Sequence, residues 1–294
     1  MPELPEVETV RRTLGPLITG RSIAGFVLCW DRTVARMDGN SFLDLIIDRT
    51  IVDVNRRGKL VILELSDGAR VSVHLRMTGE LFALPADRQR VPDRERYLRA
   101  LFSFDDGSSL AFYDVRKFGR ICYLTPGDYE DVDRALGVEP LSAAFSVDCL
   151  HSILSSRSRA IKPLLLDQIV IAGLGNIYVD EALFAAGIHP LMRAHDISVE
   201  QARLLHRAIV EILSASIDRR GTTLRDYRGG VGEPGQNQSH LRIYGIRPGH
   251  PCTSCGYPVA RLVVGQRGTV YCPRCQLAPE YALSITDPIN GSSS

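Results

Sequence analysis

Residues 59–75 read KLVILELSDGARVSVHL. Two short runs rich in Val, Ile and Leu flank Ser66-Asp67-Gly68, and that pattern predicts a pair of strands joined by a hairpin turn. The pattern repeats on both sides. SIAGFVLCW (22–30) lies upstream, and ELFAL (80–84), LRALFSFDDGS (98–108), SLAFYDV (109–115) and RICYL (120–124) follow, with a second turn signal at Asp105-Asp106-Gly107. Seven or eight such strands between Ser22 and about Leu124 predict an antiparallel sandwich or barrel.

Further outward the period changes. Pro5 to Ile18 reads as a helix, with Pro5 suited to its first turn, Glu6 and Glu8 at its positive end and Arg11 and Arg12 beyond them. Gly15-Pro16 should end or kink it. After Gly137-Val138-Glu139-Pro140 the apolar spacing becomes helical near 146–155, 161–167, 176–186 and 198–218, the last opened by a Ser198-Val-Glu-Gln201 capping box. Gly221 to Ser239 is glycine-rich and weakly patterned, a loop long enough to be functional or disordered. The final Gly291-Ser-Ser-Ser294 reads as a frayed tail, and no internal repeat is present.

At 294 residues, 45% of them hydrophobic and 23% charged, the chain has the composition of a globular protein of two domains. No run reaches the ~20 apolar residues of a membrane span, and MPELPEVE at the start lacks the basic-then-apolar order of a signal peptide. A cytoplasmic protein is therefore expected. The net charge of +1 excludes little, so any nucleic-acid surface must concentrate its positive charge locally. No Asp or Glu occurs from Pro234 to Pro279, whereas Arg242, Arg247, Arg261, Arg267 and Arg274 all fall there. The only lysines among the 35 basic residues are Lys59, Lys117 and Lys162.

Of the seven cysteines, Cys29, Cys122 and Cys149 sit in apolar surroundings and read as small core residues. Cys252-x2-Cys255 and Cys272-x2-Cys275 differ: two knuckles sixteen residues apart present four soft thiolates, the ligand set of a structural zinc ion with no open position. His250 is the rival ligand and reads better as a loop residue. Between the knuckles, PVARLVVGQRGTVY (258–271) predicts a β-hairpin turning at Gly265-Gln266-Arg267-Gly268, which places Arg267 at the tip between glycines. A solvated turn arginine accounts for Arg267 equally well at this point, and a ribbon alone equally suits a protein partner.

Pro2 carries a small ring, so Met1 is expected to be removed, leaving a secondary amine. An α-amino group has a pKa of ~8, so a useful fraction is unprotonated at neutral pH and can attack a sugar C1′ to give an iminium intermediate. Glu3 beside it suits general acid/base work.

The terminus belongs to a longer series. MPELPEVETVRRTL (1–14), NRRGKLVILEL (55–65), HLRMTGEL (74–81), DVRKFGR (114–120), IKPLLLDQ (161–168), GLGNIYVDEALF (173–184), GTTLRDY (221–227), YGIRPGHPC (244–252) and RGTVYCPRCQ (267–276) resemble, in order, the motifs of the bacterial formamidopyrimidine-DNA glycosylase family. The resemblance runs from Met1 to about Gln276, and all three lysines fall within it.

The resemblance implies an α+β protein of two domains. Its N-terminal antiparallel β-sandwich with a leading helix would span 1–138. After a linker at 139–149, a helix–two-turns–helix domain with a lesion-covering loop would span 150–240, followed by a four-cysteine zinc finger at 241–280 and a tail at 281–294, with DNA in the cleft between the domains. It also implies roles. Pro2 would be the nucleophile, Glu3 the acid/base, and Lys59 a holder of phosphate beside the lesion. Asn176 at a helix start, Tyr244 and Arg267 would complete the phosphate clamp, and Lys162 would serve in handling the oxidised purine. Met77, Arg116 and Phe118 would fill the gap left by a nucleotide swung out of the stack. Plainer readings stand beside each: a turn lysine at 59, a helix cap at 176, a surface lysine at 162, core packing for Tyr244, Met77 and Phe118.

Leu4-Pro5-Glu6-Val7-Glu8 after Pro2-Glu3 matches the purine-specific branch; the related endonuclease VIII branch typically has a glycine at the position of Leu4. The expectation is a monomer that removes 8-oxoguanine and formamidopyrimidines from damaged duplex DNA and then cuts the strand by β,δ-elimination, with one structural zinc ion. It would be cytoplasmic and nucleoid-associated through DNA. A pyrimidine-specific relative and a catalytically silent damage binder are the alternatives.

Overall fold

The computed structural model describes residues 1–87, 94–223 and 233–283. The chain divides into two compact units, Met1–Leu136 with Ser216–Gln238, and Gly137–Ala215 with the residues from Ser239 onward. The family resemblance places 216–238 with the helices. The structure groups it with the first unit, because Thr222 is hydrogen-bonded to Glu6.

The first unit opens with α1 (Leu4–Ile18), whose Leu4, Val7, Val10, Leu14 and Ile18 are buried at helical spacing. Pro16 does not end it. Proline removes one N–H near the end of the helix, while Leu14 and Ile18 are anchored in the core and the Thr19 N–H still reaches the Gly15 carbonyl at 3.0 Å. The strands are β1 (Ile23–Leu28), β2 (Ile51–Arg57), β3 (Leu60–Leu65), β4 (Arg70–His74), β5 (Gly79–Leu84), β6 (Leu98–Phe104), β7 (Ser109–Asp114) and β8 (Arg120–Leu124). They form two four-stranded antiparallel sheets, ordered β1-β6-β7-β5 and β2-β3-β4-β8. One core joins them: Leu81, Phe102, Leu110 and Phe112 from the first sheet and Val61, Leu63, Val71, Val73 and Ile121 from the second, with α1 against it. The sandwich reading thus holds over the barrel, and both hairpin turns lie where the Ser-Asp-Gly and Asp-Asp-Gly breaks put them.

Two helices are additional. The helix α2 (Gly39–Ile46) is capped by Asp38, which accepts from the Asn40 and Ser41 N–H groups at 2.9 and 3.0 Å, and buries Phe42 and Ile46. The helix α3 (Pro126–Ala135) starts from a Thr125–Asp128 capping box and buries nothing, so no apolar period announces it.

The helices predicted after Pro140 appear as α4 (Val147–Ser155), α5 (Ile161–Leu165), α6 (Asn176–Ala185) and α7 (Val199–Asp218), the last three residues of α7 belonging to the first unit. The Ser198–Gln201 capping box is present, with reciprocal bonds of 3.0 and 3.2 Å. Residues 177–184 of α6 are buried on every face, which marks it as the central helix of the second unit. The zinc hairpin is β9 (Ala260–Val264) and β10 (Arg267–Tyr271). Its turn is the two residues Gly265 and Gln266, both left-handed (φ 54° and 61°), the geometry that matches strand twist. Arg267 therefore opens β10, paired with Val264, instead of forming the tip. Cys29 is exposed and Cys122 and Cys149 are half-buried, so these three are not the core residues their surroundings suggest. No helix among the described residues is long and apolar enough to cross a membrane.

Candidate functional site

Pro2 and Glu3 are buried where the chain enters α1. Glu3 and Glu6 form a reciprocal capping box, the Glu3 N–H donating to Glu6 Oε2 at 2.8 Å, so the start of the chain is fixed. The other Glu6 oxygen accepts from the Thr222 N–H at 2.7 Å. A Cβ on Gly221 would lie 2.9 Å from that oxygen, so glycine is needed for the approach. Thr222 Oγ1 takes a bond from Asn237 (3.0 Å), and the Asn237 N–H reaches the Gly221 carbonyl (3.0 Å). Both feet of the glycine-rich stretch are thereby joined beside Glu6. Of the proposed lesion-covering stretch, about Thr222 to Ser239, residues 224–232 lie outside the described residues, as does the tail from 284.

Lys59 is buried, following Gly58 in the turn between β2 and β3. Arg56 braces that turn, donating to the Gly58 carbonyl at 3.0 Å and pairing with Glu8 of α1 at 3.2 Å. Burial pushes the Glu8 carboxyl up, but hydrogen bonds from Arg11 and Arg12 and the charges of Arg11 and Arg56 outweigh it and hold the group below the usual range. One neighbour of Lys59 was not singled out from sequence. His74, at the end of β4, accepts the Arg76 N–H on Nδ1 at 3.0 Å. Burial, then the charges of Arg76 and Lys59, push it down to about 3, so it stands neutral beside a cationic group. His189, fully buried against Tyr271, is pushed down to about 4 by burial.

These two histidines make a pH prediction. Each binds a proton readily only when unfolded, so their contribution to stability is complete above about pH 6.5 and is lost as pH falls toward their folded values. The decline is at most about 1.4 kcal/mol per pH unit per histidine. Thermal unfolding should show a midpoint that drops between pH 7 and 5, and His74→Gln should make that dependence shallower; an unaltered slope would contradict the assignment.

Met77 and Phe118 are partly exposed, 38% and 47%, on two turns at one end of the sandwich. With Met1, Arg76 and Arg120 they line a cleft of about 390 Å3. The Arg116 guanidinium lies 4.8 Å from the Phe118 ring centroid. Thus the first unit brings the chain start, Met77 and Phe118 to one cleft, with Arg116 beside it. Core packing does not account for Met77 or Phe118.

In the second unit all four cysteine Sγ atoms lie within 4.8 Å of one another, with Cys252–Cys275 at 3.9 Å and Cys255–Cys272 at 3.5 Å. A tetrahedral ion with Zn–S bonds of about 2.3 Å needs sulfurs about 3.8 Å apart, which this set satisfies. N–H groups of Ser254 and Cys275 point at Cys252 and Cys272 sulfurs (both 3.4 Å), as knuckles require. The four cysteines hold one structural zinc ion, and His250 is not among the ligands.

Asn176 is the first residue of α6, after the Gly175 N-cap, and donates to the Gly268 carbonyl at 3.2 Å. Its Oδ1 is buried with no partner among the described residues. Arg267, one residue before Gly268, is exposed. Tyr244 is half-buried, its N–H held by Glu181 at 2.7 Å together with those of Arg242 and Ile243 (2.9 and 2.8 Å). Glu181 is a second residue that sequence reading missed; the signal was the acidic pair Asp180-Glu181 inside a mostly apolar helix.

Lys162 is not the surface lysine of the plainer reading. It is fully buried, with Nζ 2.6 Å from Asp180 and 2.7 Å from Thr269 Oγ1, and near the Gly268 carbonyl at 3.4 Å. It is closed off from solvent. A buried ammonium must be paired, and this pairing ties α5 and α6 to the strand that carries Arg267.

Three family models cover most of the chain. The formamidopyrimidine-DNA glycosylase N-terminal domain matches residues 1–121, the formamidopyrimidine-DNA glycosylase H2TH domain matches 136–228, and the zinc finger found in FPG and IleRS matches 249–278. The chain is 45% identical over 277 residues to the formamidopyrimidine-DNA glycosylase of Roseiflexus sp. (strain RS-1), covering 94% of this chain and 100% of the relative. Among solved structures it resembles the FPG protein of Thermus thermophilus, at 40% identity, TM-score 0.82 and coverage of 94% and 98%. It also resembles a Lactococcus lactis FPG mutant in complex with Fapy-dG-containing DNA, at 35% identity, TM-score 0.86 and coverage of 94% and 100%.

Proposed function

Because this chain belongs to the formamidopyrimidine-DNA glycosylase family, we propose that its chemistry begins at the nitrogen of Pro2 once Met1 has been removed. The protein is a DNA glycosylase for oxidised purines with the abasic-site lyase activity of its family. The observation that carries the residue assignment is the start of α1: Pro2 and Glu3 are buried and fixed by Glu6, and Met1 lines the cleft shared by Met77 and Phe118.

The Pro2 amine attacks C1′ of the lesion nucleotide. The glycosidic electron pair leaves with the base, which takes up a proton, while Glu3 protonates the sugar ring oxygen and the ring opens to an iminium. Loss of a C2′ proton then expels the 3′ phosphate, a second elimination expels the 5′ phosphate, and water hydrolyses the iminium to release the sugar remnant and free Pro2, leaving a one-nucleotide gap. Lys59 in the first unit, and Asn176, Tyr244 and Arg267 in the second, hold phosphates. Neutral His74 adds a hydrogen bond beside Lys59 in place of a charge. Met77 and Phe118 enter the vacated stack and Arg116 bonds the orphaned opposite base. The zinc ion shapes the hairpin and takes no part in bond breaking. Lys162 holds that hairpin and serves in handling the oxidised purine. The protein acts as a monomer in the cytoplasm, reaching the nucleoid through duplex DNA; sedimentation with one lesion duplex should give a one-to-one complex.

The test compares duplexes carrying 8-oxoguanine or thymine glycol. Preferential excision of the oxidised guanine is expected; preference for thymine glycol would favour the pyrimidine-specific reading despite Leu4.

A further inference from the structure

The turn between β4 and β5 and the turn between β7 and β8 are built alike. Each sets a residue other than glycine in the left-handed region directly before its apolar side chain: Arg76 (φ 55°) before Met77, and Lys117 (φ 59°) before Phe118. Each then closes on a glycine with no room for a Cβ. On Gly79 that atom would lie 2.4 Å from the Leu75 carbonyl oxygen, and on Gly119 it would lie 2.3 Å from Phe112 Cζ. Left-handed residues that carry a Cβ persist only where their surroundings over-determine them.

The over-determining group is Asp114, at the end of β7 and 1% exposed. Its Oδ1 accepts from Thr78 Oγ1 at 2.5 Å and from the Arg116 N–H at 3.1 Å, and its Oδ2 accepts from the Gly119 N–H at 2.7 Å. Thr78 Oγ1 also accepts from the Arg116 N–H at 3.0 Å. The Asp114 carbonyl is held in turn by buried Arg99 at 2.8 Å. One carboxylate therefore grips both turns, and one hydroxyl bridges them.

We propose that Asp114 and Thr78 are positioning residues that lock Met77, Arg116 and Phe118 into a single wedge. This rests on the glycosylase reading above and specifies how its nucleotide-extruding step is built. Both side chains are buried, so they act through the turns they hold. Without the bridge the two turns sample separate conformations, and the three side chains no longer enter the duplex together. The consequence falls on extrusion of an intact base more than on a nucleotide that has already lost one, because unstacking is least costly there.

The test measures single-turnover excision of 8-oxoguanine from a duplex against strand cleavage at a pre-formed abasic site, in wild type, Thr78→Val, Thr78→Ser and Asp114→Asn. Thr78→Val is expected to lower excision at least about tenfold more than it lowers abasic cleavage. Thr78→Ser keeps the hydroxyl and should bring the ratio of the two rates to within about twofold of wild type. Trp30 supplies a spectroscopic readout: it is the only tryptophan in the chain, and Lys117 Nζ stands 3.9 Å from its ring centroid. Its emission should move in the valine variant and not in the serine variant. Asp114→Asn sets an amide against the Gly119 N–H and can cost the fold, so the threonine pair carries the decision. A folded Thr78→Val protein with both rates lowered in parallel, or with the ratio unchanged, overturns the proposal. A wild-type protein that cuts neither substrate removes the underlying glycosylase reading, and the proposal with it.

Discussion

Borohydride reduction during turnover of an 8-oxoguanine duplex is expected to leave a covalent protein–DNA adduct whose cross-linked peptide begins at Pro2. The reasoning starts with ionisation. An α-amino nitrogen has a pKa of about 8, against about 10.4 for a lysine side chain, so near neutral pH it is the better supplied nucleophile. The structure adds position, since the residue after Pro2 is clamped by Glu6 and the preceding residue lines the cleft with Met77 and Phe118. Extending the chain by one residue before Pro2 converts the amine to an amide, which has no free pair for attack. Excision and trapping should then fall by about three orders of magnitude or more, while binding of lesion duplex falls far less. An adduct mapping to Lys59, or mass spectrometry showing Met1 still attached in fully active protein, would sink this mechanism. A silent damage binder would give no adduct with any lesion.

Removing zinc should have the second large effect. The hairpin buries few side chains, chiefly Val259, Val264 and Tyr271, and so small an element lacks the core to fold alone. Its ordering depends on metal binding, which in isolated zinc-finger peptides contributes about 10–16 kcal/mol. Once it loosens, Arg267 is lost from its place, and so are the Gly268 carbonyl that Asn176 grips and the Thr269 hydroxyl that accepts a hydrogen bond from Lys162. A chelator is therefore expected to lower lesion-duplex affinity at least about a hundredfold, the order of losing one or two charged hydrogen bonds to phosphate. Trp30 emission, which reports on the first unit, should stay at its folded value. Arg267→Ala alone should weaken binding less and reduce the salt dependence by about one phosphate contact. Metal-free protein with full nicking activity would contradict the Arg267 assignment.

What each level of description could see follows from the range of the forces involved. The zinc cysteines were legible in sequence because two thiolates on one knuckle are neighbours along the chain. The Ser66-Asp67-Gly68 turn, the Ser198 capping box and the long helices were legible for the same reason, since caps and periods are set within a few residues. The helix α3 was hidden because it buries nothing, and α2 because its eight residues bury only Phe42 and Ile46, too few to set a helical period.

Sequence by itself determined which residue types the chemistry has at hand: the amine before Glu3, the lysine after Gly58, the arginine in a metal-bound hairpin. Only tertiary structure decided their partners, because a charge is satisfied by whatever folding brings to it. Lys162 meets Thr269 across 107 positions and is buried; Glu6 meets Thr222 across 216. His74 reads as an ordinary histidine until burial and two neighbouring cations make it neutral. Asp114 reads as the last residue of a strand until its two oxygens are seen to hold both turns.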